Sequence, residues 1–231
     1  MLQIKNGIKI TMKFLVILGT VRDSTPPNPP RLGLRVAKAC VSQIYQGDHS
    51  AELIDPLDFD AGPIFKPHFA HARSKAPSQL ESLADKIETA DGYVMVSPEY
   101  NHSMSPALAH LLNHFGSSLF SYKPSAIVTY SAGQWGGTRA AVGMRTFLSE
   151  LGCLPVSAMI QIPKAHEVLA EDGSFLENVG AEEWIDYFGR TFTQLKWWAS
   201  AAKKQRDEID PRKLLRSFKR DPSQRNTPQA S

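Results

Sequence analysis

Polar and glycine-rich segments follow three of the apolar runs in this sequence, and their residue types suit ligand binding. The first segment, Gly19 to Thr25, offers hydroxyl groups and the guanidinium of Arg22 just ahead of a predicted helix. Charge-assisted donors of this kind, together with the positive end of a helix dipole, bind phosphate groups. The same pattern is also typical of an ordinary turn with a surface arginine, so both interpretations stay open at this point.

The second segment, Pro98 to Ser105, lies between an apolar run that begins at Tyr93 and a helix that begins at Pro106. Proline suits the first turn of a helix because its missing N–H would be unpaired there anyway. Ligands of open parallel sheets sit beyond the carboxyl ends of the strands, so we predict that this segment is a ligand-binding loop. Ser97 and Tyr100 have the chemistry of an acid or a base, although nothing in the sequence requires that role.

The third segment, Ser131 to Gly137, has glycine at positions 133, 136 and 137. Glycine lets the backbone approach a flat ligand closely with its N–H groups exposed. An ordinary strand-to-helix connection with positive φ angles would have the same composition. The sequence contains neither G-x-G-x-x-G nor G-x-x-x-x-G-K-[ST], and Ser131 lacks the glycine two residues before it that a hydrolase nucleophile elbow requires.

Two histidine pairs have spacings that can chelate a metal ion: His68 with His71, and His110 with His114. The glutamate of an H-E-x-x-H motif is missing, and no third ligand stands nearby in the sequence. We therefore predict that the chain has no metal site.

Apolar runs and helical periodicities predict the elements that position these segments. Strands are expected at Lys13 to Gly19, Ala51 to Ile54, Tyr93 to Ser97, Ser125 to Tyr130 and Leu154 to Ile162. Helices are expected at Arg31 to Gln46, Ser78 to Ala90, from Pro106 onward, Thr138 to Leu151 and Glu182 to Ala201. Leu57 to Pro77 has no clear period, and a loop of this length is expected at a site rim or a subunit contact.

Five strand-helix units without a sign of antiparallel hairpins predict an α/β fold, namely a doubly wound five-stranded parallel sheet with helices on both faces. Polar loops after strands 1, 3 and 4 favour the flavodoxin-like strand order 2-1-3-4-5, in which these strands are adjacent. The three polar segments would then meet at one crevice.

The composition of the 231 residues, with 42% apolar and 21% charged, is ordinary for a globular protein. We expect a flavodoxin-like domain over residues 1–202 and a basic, flexible tail over residues 203–231. Residues 203–225 hold nine Lys or Arg against four Asp or Glu. Such an excess suits nucleic acid or an anionic surface, but few aromatic side chains accompany it, so a solvated terminus is the preferred interpretation.

Cys40 and Cys153 lack metal-type spacing and have apolar neighbours, which predicts buried thiols in a reducing compartment. The first apolar run, Phe14 to Leu18, is too short for a signal sequence or a membrane span. We therefore expect a cytoplasmic protein with neither a membrane nor a nucleic acid as its partner.

Together, the three segments resemble the NADPH-dependent FMN reductase family, flavodoxin-like proteins that include quinone, azo-dye and chromate reductases. The resemblance covers about residues 13–162. Pro98 to Ser103 is similar to the family motif P-E-Y-N-x-S, and Ser131 to Gly137 is similar to S-x-G-x-x-G-G. Gly19 to Arg22 is similar to G-S-x-R. The order and spacing of all three motifs carry the resemblance.

The resemblance implies that the domain binds FMN through three groups of residues. The phosphate would be held by Thr20, Arg22 and Thr25. The isoalloxazine ring and the ribityl chain would be lined by the backbone of Pro98, Glu99, Tyr100 and Asn101. The pyrimidine edge of the ring would face Ser131, Ala132, Gly133, Trp135, Gly136 and Gly137.

The resemblance further implies an oxidoreductase in which NADPH or NADH passes a hydride to flavin N5, from which a quinone-like acceptor is reduced. The flavin carries this chemistry, so no catalytic acid or base is implied. Family members are usually homodimers. The chain departs from the family in its phosphate loop, where Pro26 to Pro30 include prolines that lack N–H donors. Two alternatives remain: a flavin-binding electron carrier or regulatory protein without efficient nicotinamide turnover, and a flavin-free interaction protein.

Overall fold

The computed structural model describes residues 11–23, 31–45, 49–60, 62, 64–72 and 75–214. Its strands are β1 (Lys13–Leu18), β2 (Ser50–Ile54), β3 (Gly92–Tyr100), β4 (Ser103–Met104), β5 (Pro124–Tyr130), β6 (Leu154–Pro155) and β7 (Ile160–Ile162). Its α-helices are α1 (Leu32–Tyr45), α2 (Ser78–Thr89), α3 (Pro106–Asn113), α4 (Ser117–Phe120), α5 (Thr138–Glu150), α6 (Ala165–Val168) and α7 (Ala181–Glu208). Short 3-10 turns lie at Pro56–Asp58, His68–Ala70 and Pro211–Lys213.

A parallel sheet of order β2-β1-β3-β5-β6, with β7 also paired to β5, forms the centre of the fold. Val16 of β1 belongs to a core layer with α1 and α7, whereas Ile17 belongs to the opposite layer with α2, α3 and α5. Successive side chains of a strand point to opposite faces, so a continuous apolar run is buried on both. The predicted doubly wound, flavodoxin-like fold is confirmed. The strand predicted as the fourth is β5 in the structure, because the short strand β4 precedes it.

The prediction of five strands is wrong in detail, because the expected fifth strand forms two strands, β6 and β7. From Ser125 to Val128, β5 advances three residues, while the paired chain advances five residues from Pro155 to Ile160. The two surplus residues interrupt the ladder. Both flanks of the interruption are apolar, so the hydrophobic pattern reads as one strand.

The prediction of a loop from Pro98 to Ser105 is also wrong, because β3 continues through Pro98 and pairs antiparallel with β4. Asn101 and His102 have φ angles of 47° and 62° and form the two-residue turn of this hairpin. Such a turn matches the twist of the flanking strands, and asparagine tolerates its positive φ. The neighbouring strand β1 ends opposite Val96, so Pro98 lies where β3 is paired on one side only, a position that tolerates a missing N–H.

The last helix extends from its predicted end at residue 201 to Glu208. The added residues include good helix formers, and tertiary contacts hold them. The Asp91 carboxylate, at the amino edge of the sheet, forms ion pairs with Arg206 at 2.9 Å and with Lys203 at 3.3 Å. The domain boundary at 202/203 stays a prediction, and residues 215–231 of the tail lie outside the described residues.

The segment from Leu57 to Pro77 packs against α3 through its aromatic side chains. The ring of Phe65 lies 4.7 Å from that of His114 between centroids, and the His68 N–H donates to the His114 carbonyl at 2.7 Å. Burial and the nearby His110 lower the pKa of His114.

Within the described ranges, no group of three or more His, Cys, Asp or Glu side chains is arranged to bind a metal.

Cys40 and Cys153 are free thiols, and both are buried as predicted. Burial raises the pKa of both thiols, which keeps them protonated and unreactive at neutral pH. In the part of the chain that the structure describes, every helix is too short or too polar to cross a membrane.

Candidate functional site

The segment after β1 is anchored on β3 and on the end of β5. The Gly19 N–H donates to the Val96 carbonyl of β3 at 2.7 Å. Thr20 is only 4% exposed, and its hydroxyl accepts a hydrogen bond from the Arg22 N–H at 3.2 Å. Burial raises the pKa of the Tyr130 phenol, and a hydrogen bond with the Thr20 side chain opposes that shift. Tyr130, which the sequence did not single out, thus connects this segment to the end of β5.

Helix α1 begins directly beside the same segment because Gly33 has no side chain. A Cβ atom at residue 33 would lie 2.8 Å from Thr20 Cγ2 and 2.9 Å from Tyr130 Cζ. The close approach brings the N-terminus of α1 next to Thr20, as a phosphate site requires. Residues 24–30, and with them the predicted phosphate ligand Thr25, lie outside the described residues.

Arg22 is exposed, and its guanidinium forms no ion pair with any residue that the structure describes. An arginine without a carboxylate partner can donate two parallel hydrogen bonds to a phosphate. The position at the end of β1 therefore suits the role that the sequence predicted for Arg22.

Glu99 has a role that the sequence did not reveal, since its carboxylate caps helix α5. The N–H groups of Arg139 and Ala140 donate to Glu99 Oε2 at 3.0 and 3.2 Å, and the Arg139 guanidinium donates to Oε1 at 3.3 Å. Burial pushes the pKa of Glu99 upward, but these hydrogen bonds and the Arg139 charge outweigh it, so the pKa lies below its usual range. The cap joins the end of β3 to the third polar segment and engages both oxygens of the Glu99 carboxylate.

Ser97 holds the connection between β3 and α3 together. It is fully buried, and its hydroxyl accepts from the Ser105 N–H at 2.9 Å and donates to the Pro98 carbonyl at 2.8 Å. The Ser105 hydroxyl in turn accepts from the N–H groups of Ala107 and Leu108 and caps α3. Both hydroxyls are therefore engaged in structure, which argues against Ser97 as an acid or a base.

The third polar segment is a tight, hydrogen-bonded turn. The Ser131 hydroxyl accepts from the Gly136 N–H at 2.9 Å and donates to the Gly133 carbonyl at 2.6 Å. Gly136 and Gly137 have φ angles of 61° and 76°, so the backbone itself requires glycine at these two positions. A Cβ atom at residue 137 would lie 2.9 Å from Thr129 Cβ.

The rim of this turn offers a flat apolar surface. Trp135 is 63% exposed, and the Arg139 guanidinium carbon lies 5.7 Å from the centroid of its ring. Ala132 and Gly133 are exposed beside it, and the Lys164 N–H supports them by donating to the Gly133 carbonyl at 2.8 Å. An exposed indole next to an open backbone can stack against a planar ring.

The three predicted segments thus lie together at the carboxyl ends of β1, β3 and β5. Thr20 contacts Tyr130, the Glu99 carboxylate binds the first turn of α5, and Pro98 lies opposite Tyr130 in the register. One end of the site has a helix N-terminus and the Arg22 guanidinium, which forms no ion pair with the residues that the structure describes. The other end has an exposed glycine backbone and an indole. This donor set fits a planar ligand that carries a phosphate, and FMN is such a ligand.

Comparison with known proteins decides the family, since residues 12–167 match the family model of NADPH-dependent FMN reductases. This chain belongs to that family. An NADPH azoreductase from a Bacillus species is 28% identical over 72% of this chain and 84% of its own length. The subunit CrdA of an NADH:(hydroxy)cinnamate reductase from Vibrio ruber is 36% identical over 59% of this chain and 62% of its own length. The flavoenzyme NAD(P)H:(acceptor) oxidoreductase FerB of Paracoccus denitrificans shares the fold, with a TM-score of 0.61 and 18% identity over 82% of this chain and 98% of its own.

Membership of the FMN reductase family confirms the resemblance seen in the sequence. It identifies the protein as an NAD(P)H-dependent oxidoreductase with FMN as its cofactor and NAD(P)H as its co-substrate. The residues named above as FMN ligands stay predictions, and no catalytic acid or base is assigned.

Replacing Glu99 by glutamine is expected to lower the free energy of unfolding by about 1 kcal/mol at pH 7, because an amide oxygen caps a helix less well than a carboxylate. The folded-state pKa lies below the usual 4.5, so the carboxylate stabilises the fold above that pH and loses its contribution as the pH falls through the folded pKa. Urea unfolding at neutral and acidic pH measures both effects. The matched control is Glu177→Gln, an exposed residue outside the site. Equal losses of unfolding free energy in the two variants would contradict the assignment of Glu99 as the cap of α5.

Proposed function

We propose that this protein takes a hydride from NADPH or NADH and passes it through bound FMN to a quinone-like or similar small, planar acceptor. Bound FMN would supply the redox chemistry, accepting two electrons as a hydride and giving them up again. The observation that carries the proposal is that, in a member of the FMN reductase family, the three polar segments end at the same edge of the sheet. An exposed arginine and an exposed indole lie in these segments and would suit a phosphate and a flat ring.

The residues of the chain would bind and orient the reactants. Arg22 and the N-terminus of α1 would hold the phosphate, the backbone of Pro98 to Asn101 would line the flavin, and Ser131 to Gly137 would face its pyrimidine edge. With no acid or base required, the turnover rate would depend on how well these segments position the flavin.

The class of acceptor is suggested by the exposed aromatic side chains and by the relatives. Tyr100 is 39% exposed and Trp135 is 63% exposed, and such rings favour planar, conjugated molecules. The relatives include proteins named as an NADPH azoreductase and as a quinone reductase from Escherichia coli, the latter 37% identical over 31% of this chain and 40% of its own length.

Buried thiols are in keeping with a reducing compartment, and we propose a cytoplasmic location.

A homodimer is proposed on the basis of the segment that covers α3. Ile64 is 77% exposed and Phe69 is 63% exposed, and large apolar side chains exposed within one short segment favour a protein contact. Light scattering of the FMN-loaded protein tests this, since a dimer has twice the mass of the 25.6 kDa chain.

The activity is tested by reconstituting the purified protein with FMN and titrating it with NADPH without oxygen. Flavin absorption bands should appear, bleach stoichiometrically and return on addition of benzoquinone, with steady NADPH consumption when both are in excess. Bands that persist in NADPH would instead identify an electron carrier. A protein that takes up no FMN would overturn the proposal.

A further inference from the structure

Two histidine side chains at the end of α3 form a pair that is not part of the predicted FMN site. His110 and His114 are four residues apart, so they lie on the same face of the helix. Their Nε2 atoms are 3.3 Å apart, within hydrogen-bond range, and their ring centroids are 4.8 Å apart. A hydrogen bond between two imidazole nitrogens needs one N–H and one bare nitrogen. The pair is therefore intact only while one of the two facing nitrogens carries no proton.

The segment between β2 and α2 covers this pair with an aromatic ring. The centroid of the Phe65 ring lies 5.5 Å from that of His110 and 4.7 Å from that of His114. His114 is wholly buried, whereas His110 is exposed and Phe65 is 49% exposed. Phe59 and Phe115 add to the apolar surroundings of His114, with ring centroids at 5.8 and 6.5 Å. The half-exposed Phe65 ring thus helps to keep a buried imidazole away from water.

The charged groups around the pair come from this segment, from α2 and from the 3-10 turn after β2. Glu81 of α2 is engaged by His68 at 3.0 Å. Asp58 and Lys66 have exposed side chains, and His71 Nε2 is buried without a hydrogen-bond partner among the described residues. In the described part of the chain, neither histidine of the pair has a carboxylate in ion-pair contact. A second proton on the pair would therefore lack a paired counter-charge.

Protonation acts on this arrangement in a defined direction. A first extra proton can bind to the exposed His110 and leave the hydrogen bond between the rings in place. A second proton, on His114, turns two N–H groups toward each other and puts an unpaired charge in an apolar site. Burial and His110 lower the pKa of His114 from its usual 6.5, and the Lys66 backbone only partly opposes them. The closed arrangement thus binds fewer protons than an open one, and it loses stability as the pH falls from about 6.5 toward the lowered pKa.

We propose that the His110–His114 pair is an acid-sensitive latch, which holds residues 64–72 against α3 at neutral pH and releases them in mildly acidic solution. Two contacts join the segment to His114, namely the Phe65 ring and the hydrogen bond from the His68 N–H to the His114 carbonyl at 2.7 Å. Movement of a charged His114 ring toward water would displace Phe65 and strain that hydrogen bond. The exposed apolar side chains of Ile64 and Phe69 belong to the same segment, so its release would rearrange this surface as well. The proposal does not depend on FMN or on the redox reaction.

Hydrogen–deuterium exchange of the purified full chain at pH 7.5 and pH 5.0 tests the proposal, once the rates are corrected for the intrinsic pH dependence of exchange. Peptides that span residues 64–72 should lose at least tenfold of their protection at pH 5.0, whereas peptides from β1 and β5 should keep theirs. Unchanged protection of residues 64–72 would overturn the proposal. A parallel loss in β1 and β5 would also overturn it, because the acid would then unfold the whole domain.

A titration variant with its control tests the pair itself. His110→Gln retains a hydrogen-bonding group beside His114 but removes the second titratable ring, so residues 64–72 should keep most of their protection at pH 5.0. The matched control is His166→Gln, which removes a histidine of α6 outside these contacts and should leave the acid response of the wild type unchanged. An acid response in His110→Gln equal to that of the wild type would overturn the proposal.

A second pair of variants tests the aromatic cover. Phe65→Ala should reduce the protection of residues 64–72 already at pH 7.5, because the ring that covers both histidines is lost. Phe69→Ala removes an equal ring from the same segment, one that is 63% exposed, and should leave the protection at pH 7.5 unchanged. Equal protection in these two variants would overturn the role of Phe65 in the latch.

Discussion

The Arg22→Ala variant should bind FMN roughly 10- to 150-fold more weakly than the wild type, a loss of about 1.5 to 3 kcal/mol. The physical reason is the loss of charge-assisted hydrogen bonds to the phosphate dianion at the N-terminus of α1. The guanidinium is exposed and has no carboxylate partner among the described residues, so its removal should leave the free energy of unfolding within about 0.5 kcal/mol of the wild type. Fluorescence titration of the apoprotein with FMN measures the affinity.

Riboflavin provides the ligand-side control for this result, because it lacks the phosphate. Arg22→Ala should bind riboflavin as the wild type does. The protein-side control is Arg190→Ala, which removes an exposed guanidinium from α7, outside the three polar segments. If FMN affinity is unchanged in Arg22→Ala, or if riboflavin is weakened as much as FMN, Arg22 does not bind the phosphate.

The Gly137→Ala variant should lose about 2 to 5 kcal/mol of its free energy of unfolding. A φ angle of 76° costs a residue with a side chain about 1 to 2 kcal/mol. The new Cβ atom would also lie 2.9 Å from Thr129 Cβ, and overpacking of this kind costs a further 1 to 3 kcal/mol or so. Because Gly137 precedes the first turn of α5, the distortion should also move the cap formed by Glu99 and weaken FMN binding. Denaturant unfolding measures the free energy of unfolding, and titration with FMN measures the affinity for the cofactor.

Gly133 supplies the matched control in the same turn. A Cβ atom at residue 133 would meet no atom within 4 Å. The free energy of unfolding of Gly133→Ala should therefore lie within about 0.5 kcal/mol of the wild-type value. A loss of FMN affinity in this variant at unchanged stability would support direct contact between the turn and the flavin. Similar destabilisation by Gly133→Ala and Gly137→Ala would contradict the assignment of a special backbone conformation to Gly137.

Much of the fold follows from local patterns. Burial on both faces makes β1 a continuous apolar run, and the helical stripes of α2, α3 and α5 lie where their periodicity predicts. The order of the strands also follows, because right-handed crossovers leave few arrangements for successive strand-helix units. Even the meeting of the three polar segments was predictable, since adjacent parallel strands end at the same edge.

Other features escaped prediction because their causes lie far away in the sequence or in backbone geometry. Glu99 caps α5 from a distance of forty residues, and a motif does not reveal which donors a carboxylate will meet. Pro98 remains in β3 because β1 ends opposite Val96, which is a property of the register and not of the proline. The hairpin turn at Asn101 and His102 carried a local signal, namely an asparagine suited to positive φ, but Pro98, three residues earlier, favoured the interpretation of a loop.

By itself, the sequence determined the fold class and the three segments that meet at the carboxyl edge of the sheet, because both depend on short-range burial patterns and turn residues. The order and spacing of three motifs pointed to the family. The tertiary structure alone decided which side chains at that edge are free. Thr20, Ser97 and Glu99 are engaged in hydrogen bonds within the protein, whereas Arg22 is exposed without a described ion-pair partner. Such contacts depend on the positions of whole elements in space, which no local pattern encodes.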